Sequence, residues 1–522
     1  MNFKALFYLV VIVALTAGFL SAQEITGDIR GVVKDASGAL VSGAKIDVIN
    51  TDRNTTMRTL TTGPDGSYVA PFLPVGHYQI VVEASGFKKF LGNGIALNVS
   101  DHRIVDVQLQ VGGSNETVTV EESPVAVDLE TSEAAGLVNG TQVRELALAS
   151  RNFSQLLVLQ PGVSTALSSD QMYVGVTSPT GLSNQMNFAV NGNRPTQNSW
   201  TIDGADNFDR GANLTLLSFP SIDSIAEFKV LRSNYLPENG RSSGGIVNVV
   251  TRSGTNAFHG SAYEFFRNDV LQANNYFNNL AQIKRPPLRW NDFGFTIGGP
   301  IWKNKTFFFY SQDWRRVITY NTFTSSQIPT QAELSGTFPF SVCTAYDANG
   351  KCTTQGTQVT NFNPVAAAYV KDVFSKIPAP NNPDQTLTWA GRNVFNYREE
   401  NVRIDHNFTS KLSIFGRYLD DAIPTQEPAG LFTALGVPTV ATTSTNAPGR
   451  NLALHATYIF TPALVNDAGY ALSWGAVLST PTGSLSKAKS PDINPTLLFN
   501  TGVQRVPDID FCAFTAVVCS QV

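Results

Sequence analysis

Histidine and cysteine are scarce in this chain of 522 residues, at five and four copies. His77, His102, His259, His406 and His455 are scattered, and none stands in the HExxH or HxxE spacing that would hold a catalytic zinc. The cysteines come late, at Cys343, Cys352, Cys512 and Cys519. Neither pair has CxxC spacing, which argues against zinc and thioredoxin-like chemistry and leaves two candidate disulfides, each closing a short loop. A GxSxG elbow, a phosphate-binding loop and a metal-ligand cluster are all missing, so we expect no enzyme, no cofactor and no metal. A formal net charge of −4 gives no encouragement to nucleic-acid binding. Beyond the first twenty-odd residues no apolar run is long enough for a transmembrane helix.

What is abundant is phenylalanine, 33 copies, and glycine, 41. That bias fits aromatic strands joined by tight turns. A membrane-spanning β-barrel has this composition, because lumen-facing polar residues alternate with lipid-facing apolar ones and mean hydropathy averages out. Residues 1–22 read as a secretory signal: Lys4, an apolar stretch from Ala5 to Leu20, and the small pair Ser21-Ala22 before the cut. The remaining length suits two to four domains.

Residues 23–113 read as a small all-β module. Seven short strand candidates are separated by turn clusters such as Asp35-Ala36-Ser37-Gly38 and Gly63-Pro64-Asp65-Gly66. Such spacing suggests a β-sandwich. The stretches "GVVKDASGALVSGAKIDV" and "TTGPDGSYVAPFLPVGHYQIVVEASGF" resemble the carboxypeptidase regulatory-like domain, a transthyretin-like sandwich also classed with carbohydrate-binding-like folds. The resemblance implies either a periplasmic docking accessory or a spacer, and no peptidase.

Residues 114–124 form a linker holding "ETVTVEES", short, extended and β-branched. It reads either as an edge strand for another protein or as a last sandwich strand. Residues 125–255 are mixed, with helix-compatible patterns over Thr141–Leu148 and Ser154–Gln160. They contain "NFAVNGNRPTQNSWTIDGADN" and "SSGGIVNVVTRSGTN", which resemble the α+β plug domain of TonB-dependent outer-membrane receptors. In that light Glu116, Thr117, Val118, Thr119 and Val120 are similar to a TonB box. The implied partner is TonB with its inner-membrane energising complex, and Val118→Pro is expected to block strand pairing. Candidate substrate-facing residues on the plug are Arg194, Asn198, Asp203, Asp206 and Asn207. Asp203 and Asp206 read mainly as turn formers rather than a carboxylate pair.

From residue 256 onward we expect wall strands at 257–266, 290–298, 305–318, 398–408, 411–420, 451–460 and 464–477. Over Asn401–Phe408, Val402, Ile404, His406 and Phe408 share a face opposite Arg403, Asp405 and Asn407, as lipid-facing and lumen-facing sides require. Trp290, Trp302, Trp314 and Tyr310 are expected in interfacial girdles. Long connections alternate with short ones, as in outer-membrane barrels. The phrases "FGFTIGGPIWKNKTFFFYSQDWRR" and "RIDHNFTSKLSIFGRY" resemble the Oar-like subgroup of these receptors.

Residues 256–522 are therefore read as the first strands of a transmembrane antiparallel β-barrel that is incomplete. Plugged barrels have about twenty-two strands, and an open edge cannot face lipid, so the chain is expected to be an amino-terminal fragment. The expected function is active uptake of an unidentified substrate (oligosaccharide, peptide or chelate) across the outer membrane of a Gram-negative bacterium, the sandwich and plug facing the periplasm. The competing expectation is a secreted or surface carbohydrate-binding or adhesion protein.

Overall fold

The computed structural model describes residues 25–521 except 114–115, 122–131, 149, 166–187, 212–214, 237–238, 275, 281, 283, 326, 430–436, 462–463, 496–501, 503, 508–509 and 513–518. The expected signal segment lies outside the described residues.

The amino-terminal module packs two sheets face to face. Strands β1 (Gly27–Asp35), β4 (Ser67–Leu73), β7 (His102–Ile104) and β8 (Val107–Leu109) form one sheet. Strands β2 (Lys45–Asn50), β3 (Thr55–Thr61), β5 (Gly76–Glu83) and β6 (Lys89–Leu97) belong to the other, in the order β3-β2-β5-β6. Alternate residues turn inward and build a core of Ile29, Val33, Ile46, Val48, Tyr78, Ile80 and Val82, each fully buried. The edge beyond β6 is taken by β9 (Thr117–Glu121), paired parallel to it.

The next unit centres on a mixed five-stranded sheet. Its strands are β10 (Ala134–Asn139), β13 (Ser199–Ile202), β14 (Ala205–Asp206), β15 (Ile225–Ser233) and β16 (Ile246–Thr251), in the order β10-β15-β16-β13-β14. A small hairpin, β11 (Val163–Thr165) with β12 (Phe188–Val190), lies beside it. Every residue of β16 is buried, because it sits between two strands with both faces covered. Helix is shorter than the pattern suggests. An α-helix of under two turns covers Gly140–Glu145, and Phe153–Leu159 winds as 3₁₀, with Phe153, Leu156 and Leu157 packed into the core.

The wall is one antiparallel meander of β17 (His259–Asn268), β18 (Leu288–Trp302), β19 (Thr306–Thr324), β22 (Thr388–Thr409), β23 (Leu412–Ala422), β26 (Gly449–Thr461) and β27 (Leu464–Gly475). Strands β20 (Thr337–Tyr346) and β21 (Cys352–Gln358) form a separate hairpin in the long connection between β19 and β22. Short strands β24 (Thr425–Glu427), β25 (Thr443–Asn446) and β28 (Leu478–Pro481) extend the sheet at the long-loop end. The seven wall strands run in sequence order, and the sheet does not close on itself among the described residues. Several are longer than expected: β19 has 19 residues and β22 has 22. A strand rises about 3.3 Å per residue, so each reaches well past an apolar band about 25 Å tall.

Cys343 and Cys352 are disulfide-bonded across the β20–β21 hairpin. Cys512 and Cys519 face each other in the register of a short terminal hairpin. The first bridge closes a loop small enough to contribute about 2–3 kcal/mol to its hairpin. Cys343→Ser is expected to accelerate amide exchange within residues 337–358 while leaving the mixed five-stranded sheet unchanged, as hydrogen-exchange mass spectrometry would read.

Candidate functional site: an ion-pair chain between plug, wall and sandwich

The mixed five-stranded sheet occupies the stretch expected to be a plug, and this plug sheet lies against the inner face of the wall. Wall alternation decides which side chains meet it. Val402, Ile404 and Phe408 are exposed on the outer face, whereas Arg403, Asp405 and Asn407 are buried. Along β26 Leu454, Tyr458 and Phe460 point outward in the same way, with Ala453, His455 and Thr457 inward. The outer face is thus an apolar band and the inner face carries charge.

Asp203 sits at the tip of the β13–β14 hairpin. Ile202 pairs with Ala205, and the two residues between them, Asp203 and Gly204, both have positive φ (47° and 75°). Asp-Gly is favoured there because a two-residue hairpin of this kind needs the left-handed region twice. The turn aims the carboxylate at the wall. Thr251 donates its amide to Oδ1 at 3.0 Å and its hydroxyl to Oδ2 at 2.7 Å. Arg417 donates Nε to Oδ2 at 2.9 Å, and Arg403 donates Nη1 to Oδ1 at 3.2 Å. Burial opposes ionisation of Asp203, but the Arg403 and Arg417 guanidiniums and the Thr251 bonds hold it below the usual carboxylate range.

The chain of charges continues outward. Arg403 forks onto Asp405 through Nε (3.1 Å) and Nη2 (3.2 Å). Arg53 of the sandwich donates Nη2 to the same carboxylate at 3.0 Å and to Ser253 Oγ at 2.9 Å. Arg417 meanwhile donates to the carbonyls of Asn451 (2.9 Å) and Ile202 (2.7 Å). Three arginines and two aspartates, none more than 7% exposed at the side chain, thereby join sandwich, wall and plug. Beside them opens a cavity of about 800 Å³ lined by all three units, including Asp52, Arg144, Glu227, His259 and His455.

The plug is pinned elsewhere too. Tyr397 donates its hydroxyl to the Phe219 carbonyl at 2.6 Å, and the Phe219 amide donates to Asp421 Oδ2 at 2.7 Å. Arg151 pairs with Asp223 and lies over the Phe265 ring at 4.0 Å. Arg151 also lies 3.7 Å from Asp292 of the wall, a carboxylate that Arg315 of the neighbouring wall strand holds at 2.7 Å.

The sandwich meets the plug at Glu227, whose Oε1 accepts the Val99 amide at 2.5 Å, and at Lys229, which donates to the Ser100 carbonyl at 2.8 Å. Burial pushes the Glu227 carboxyl up to about 7 despite the Val99 bond. A carboxyl raised from 4.5 to about 7 contributes stability that is fully present below pH 4.5 and is lost as pH rises through about 7. The sandwich–plug contact should therefore resist a broad-range protease better at the acid end of that window. Glu227→Gln should remove the dependence and keep the acid-end resistance throughout.

The sequence-singled plug residues do not form one exposed cluster. Asn198 is buried, with Nδ2 donating to the Phe188 carbonyl (2.6 Å) and Oδ1 accepting the Gly245 amide (2.9 Å). Asn207 is buried against Ser218, donating to its carbonyl (2.7 Å) and accepting its amide (3.0 Å). Asp203 and Asp206 do not act as a pair: Asp206 is half-buried and bound to Arg210 and, at 3.4 Å, to Arg241. Arg194 is exposed. Trp290 departs from the girdle expectation. It is 3% exposed and faces inward, with the Arg315 guanidinium 5.8 Å from its ring, because its place in the β18 alternation turns it from the outer face. Trp302, at 62% exposed, does lie outside.

Glu116 to Val120 are not a free segment. Thr117–Glu121 is strand β9, in parallel register with Lys89–Asn93. Of the two readings left open for this stretch, it occupies the place of a last sandwich strand. Of the wall partners of Asp203, Arg403 was read from sequence only as a lumen-facing residue and Arg417 was not named, and neither was matched to Asp203. Their signal was present as charges at alternate strand positions.

Residues 250–521 match the family described as the outer membrane beta barrel domain, and residues 28–110 match the carboxypeptidase regulatory-like domain. The chain is 27% identical over 318 residues to the TonB-dependent transporter Oar of Myxococcus xanthus, an alignment covering 57% of this chain and 28% of that protein. Solved structures similar to it include a ferric enterobactin receptor mutant from Pseudomonas aeruginosa in complex with enterobactin, 12% identical with a TM-score of 0.33 over 67% of this chain and 46% of that one. The outer membrane transporter YddB from Escherichia coli is 10% identical with a TM-score of 0.32, over 66% and 48%. The chain spans about 28% of the length of its curated relative. With its outward apolar band, inward charges and packed plug sheet, the chain belongs to the outer-membrane β-barrel domain family, carries a carboxypeptidase regulatory-like domain, and is homologous to the TonB-dependent transporter Oar.

Proposed function

We propose that this protein is a TonB-dependent outer-membrane receptor for active uptake of a substrate of the oligosaccharide, peptide or chelate class. The observation that carries the reading is a plug sheet held on the inner face of an outward-apolar wall by buried ion pairs, Asp203 with Arg403 and Arg417 above all. A sheet with charge inside and hydrocarbon outside suits a lumen in lipid. A plug tied by a few polar contacts, rather than by a shared apolar core alone, is one that a directed pull can shift.

The short turn at Lys303–Lys305 lies beside the sandwich, where Thr55 donates to the Asn304 carbonyl at 3.2 Å. Short turns mark the periplasmic rim of such barrels, so sandwich and plug face the periplasm. Substrate enters from the long-loop end, and Arg194, Asp206, Arg210 and Arg241 are among the described plug residues accessible enough to meet it. Energy comes from TonB pairing with residues 116–120, since the sequence carries no nucleotide-binding loop of its own.

Membrane fractionation of cells expressing the protein tests the reading. We expect recovery in the outer-membrane fraction, with retention on the purified periplasmic domain of TonB. Recovery in the soluble periplasm or the medium would instead favour a secreted carbohydrate-binding or adhesion protein.

A further inference from the structure

Strand β9 is the last member of its sheet, in the order β3-β2-β5-β6-β9. Lys89 lies opposite Thr117 in a parallel register, and the Lys89 amide donates to the Glu116 carbonyl at 2.9 Å. In a parallel ladder each residue sends both of its backbone groups to one side, and successive residues alternate. The backbone groups of Glu116, Val118 and Val120 therefore face β6, and those of Thr117, Thr119 and Glu121 face away. Among the described residues no strand pairs with that outer side. Thr117, Thr119, Val120 and Glu121 are exposed. A row of unpaired amides and carbonyls on an exposed edge is a template for an added strand.

We propose that the sandwich presents β9 as a preformed docking edge, and that the periplasmic domain of TonB adds a strand to it while β9 stays seated on β6. The inference rests on the TonB reading above and specifies how that contact is made. Seating β9 beforehand removes most of the ordering entropy that capture of a loose peptide would cost. Glu116 pairs with Lys88 at 2.6 Å yet is 62% exposed at the side chain, and Glu121 is exposed at the other end of the strand. The added strand is accordingly expected to carry Lys or Arg flanking a β-branched run. A pull applied there enters the sandwich first, and reaches the plug directly through the Glu227 and Lys229 contacts and, by way of the wall, through Arg53, Asp405, Arg403 and Asp203. The geometry also relocates the decisive proline: Val118→Pro removes a β6-facing donor and so disturbs seating, whereas Thr119→Pro removes an outward-facing one.

The test is residue-resolved hydrogen exchange on the full chain in detergent, with and without the purified periplasmic domain of TonB. We expect binding with the Lys89 and Leu91 amides still protected and the Thr117, Thr119 and Glu121 amides newly protected. Thr119→Pro should cut retention by about tenfold or more while the Lys89 and Leu91 amides stay protected. Binding accompanied by opening of the Lys89 and Leu91 amides would mean that β9 leaves the sandwich; that overturns the proposal and leaves the TonB reading standing. Undiminished binding of Thr119→Pro would overturn it too. If the unmodified chain shows no binding, the TonB reading falls and the docking edge with it.

Discussion

Asp203→Asn should loosen the plug by about 3–5 kcal/mol, the cost of removing one partner from a buried ion pair and leaving the other charge uncompensated. Two guanidiniums are left facing a neutral amide, and Arg417, wholly buried, has only carbonyls for its remaining donors. Exchange of the Thr251 amide, which donates to Asp203 directly, should speed up by roughly a hundredfold or more if the plug opens locally there. The control is Asp206→Asn, where a partly exposed carboxylate pairs with exposed arginines and the expected loss is about 0–1 kcal/mol. Acid should reproduce the effect in the unaltered chain. The Asp203 carboxyl is held below its ordinary value of 3.8, so its contribution is present above that pH and is lost as pH falls through its lower folded value. Asp203→Asn should show no such acid step. An unchanged Thr251 exchange rate in the variant would mean that the pair does not hold the plug.

Ile404→Arg should stop the wall from inserting. Ile404 is 46% exposed in the middle of the Asn401–Phe408 alternation, on the face away from the plug. An arginine near the bilayer midplane of a β-barrel costs about 2–4 kcal/mol, falling to about 0–1 near the interfaces. The same change at Phe460, one residue from the end of β26, should therefore be tolerated. Comparing the two variants in outer-membrane fractions reads the depth dependence directly. If Ile404→Arg assembles as well as the Phe460 variant, that face does not meet lipid.

Much of the wall was readable because period-2 alternation is a local property. Val402, Ile404 and Phe408 could be set against Arg403, Asp405 and Asn407 from one stretch of sequence, and seven strand candidates correspond to the seven strands of the meander. Ends were read less well. Strands β19 and β22 run on into the long connection because their polar outer halves leave the hydrophobic pattern that marks a membrane strand. The plug candidates were legible as motifs and not as roles. Asn198 and Asn207 look alike to Arg194 in a loop-rich sequence, but the first two fold back onto backbone groups of their own unit.

By itself the sequence determined the strand periodicity, the tight Asp-Gly turn at Asp203, and the division into sandwich, mixed and aromatic-strand stretches, since each depends on neighbours a few residues apart. Only the tertiary structure decided that Asp203 meets Arg417, 214 positions away, that Arg53 reaches Asp405 over 352, and that residues 117–121 lie parallel on β6. Such pairings follow from which faces are brought together and desolvated, and burial makes each lone charge too costly to leave unmatched.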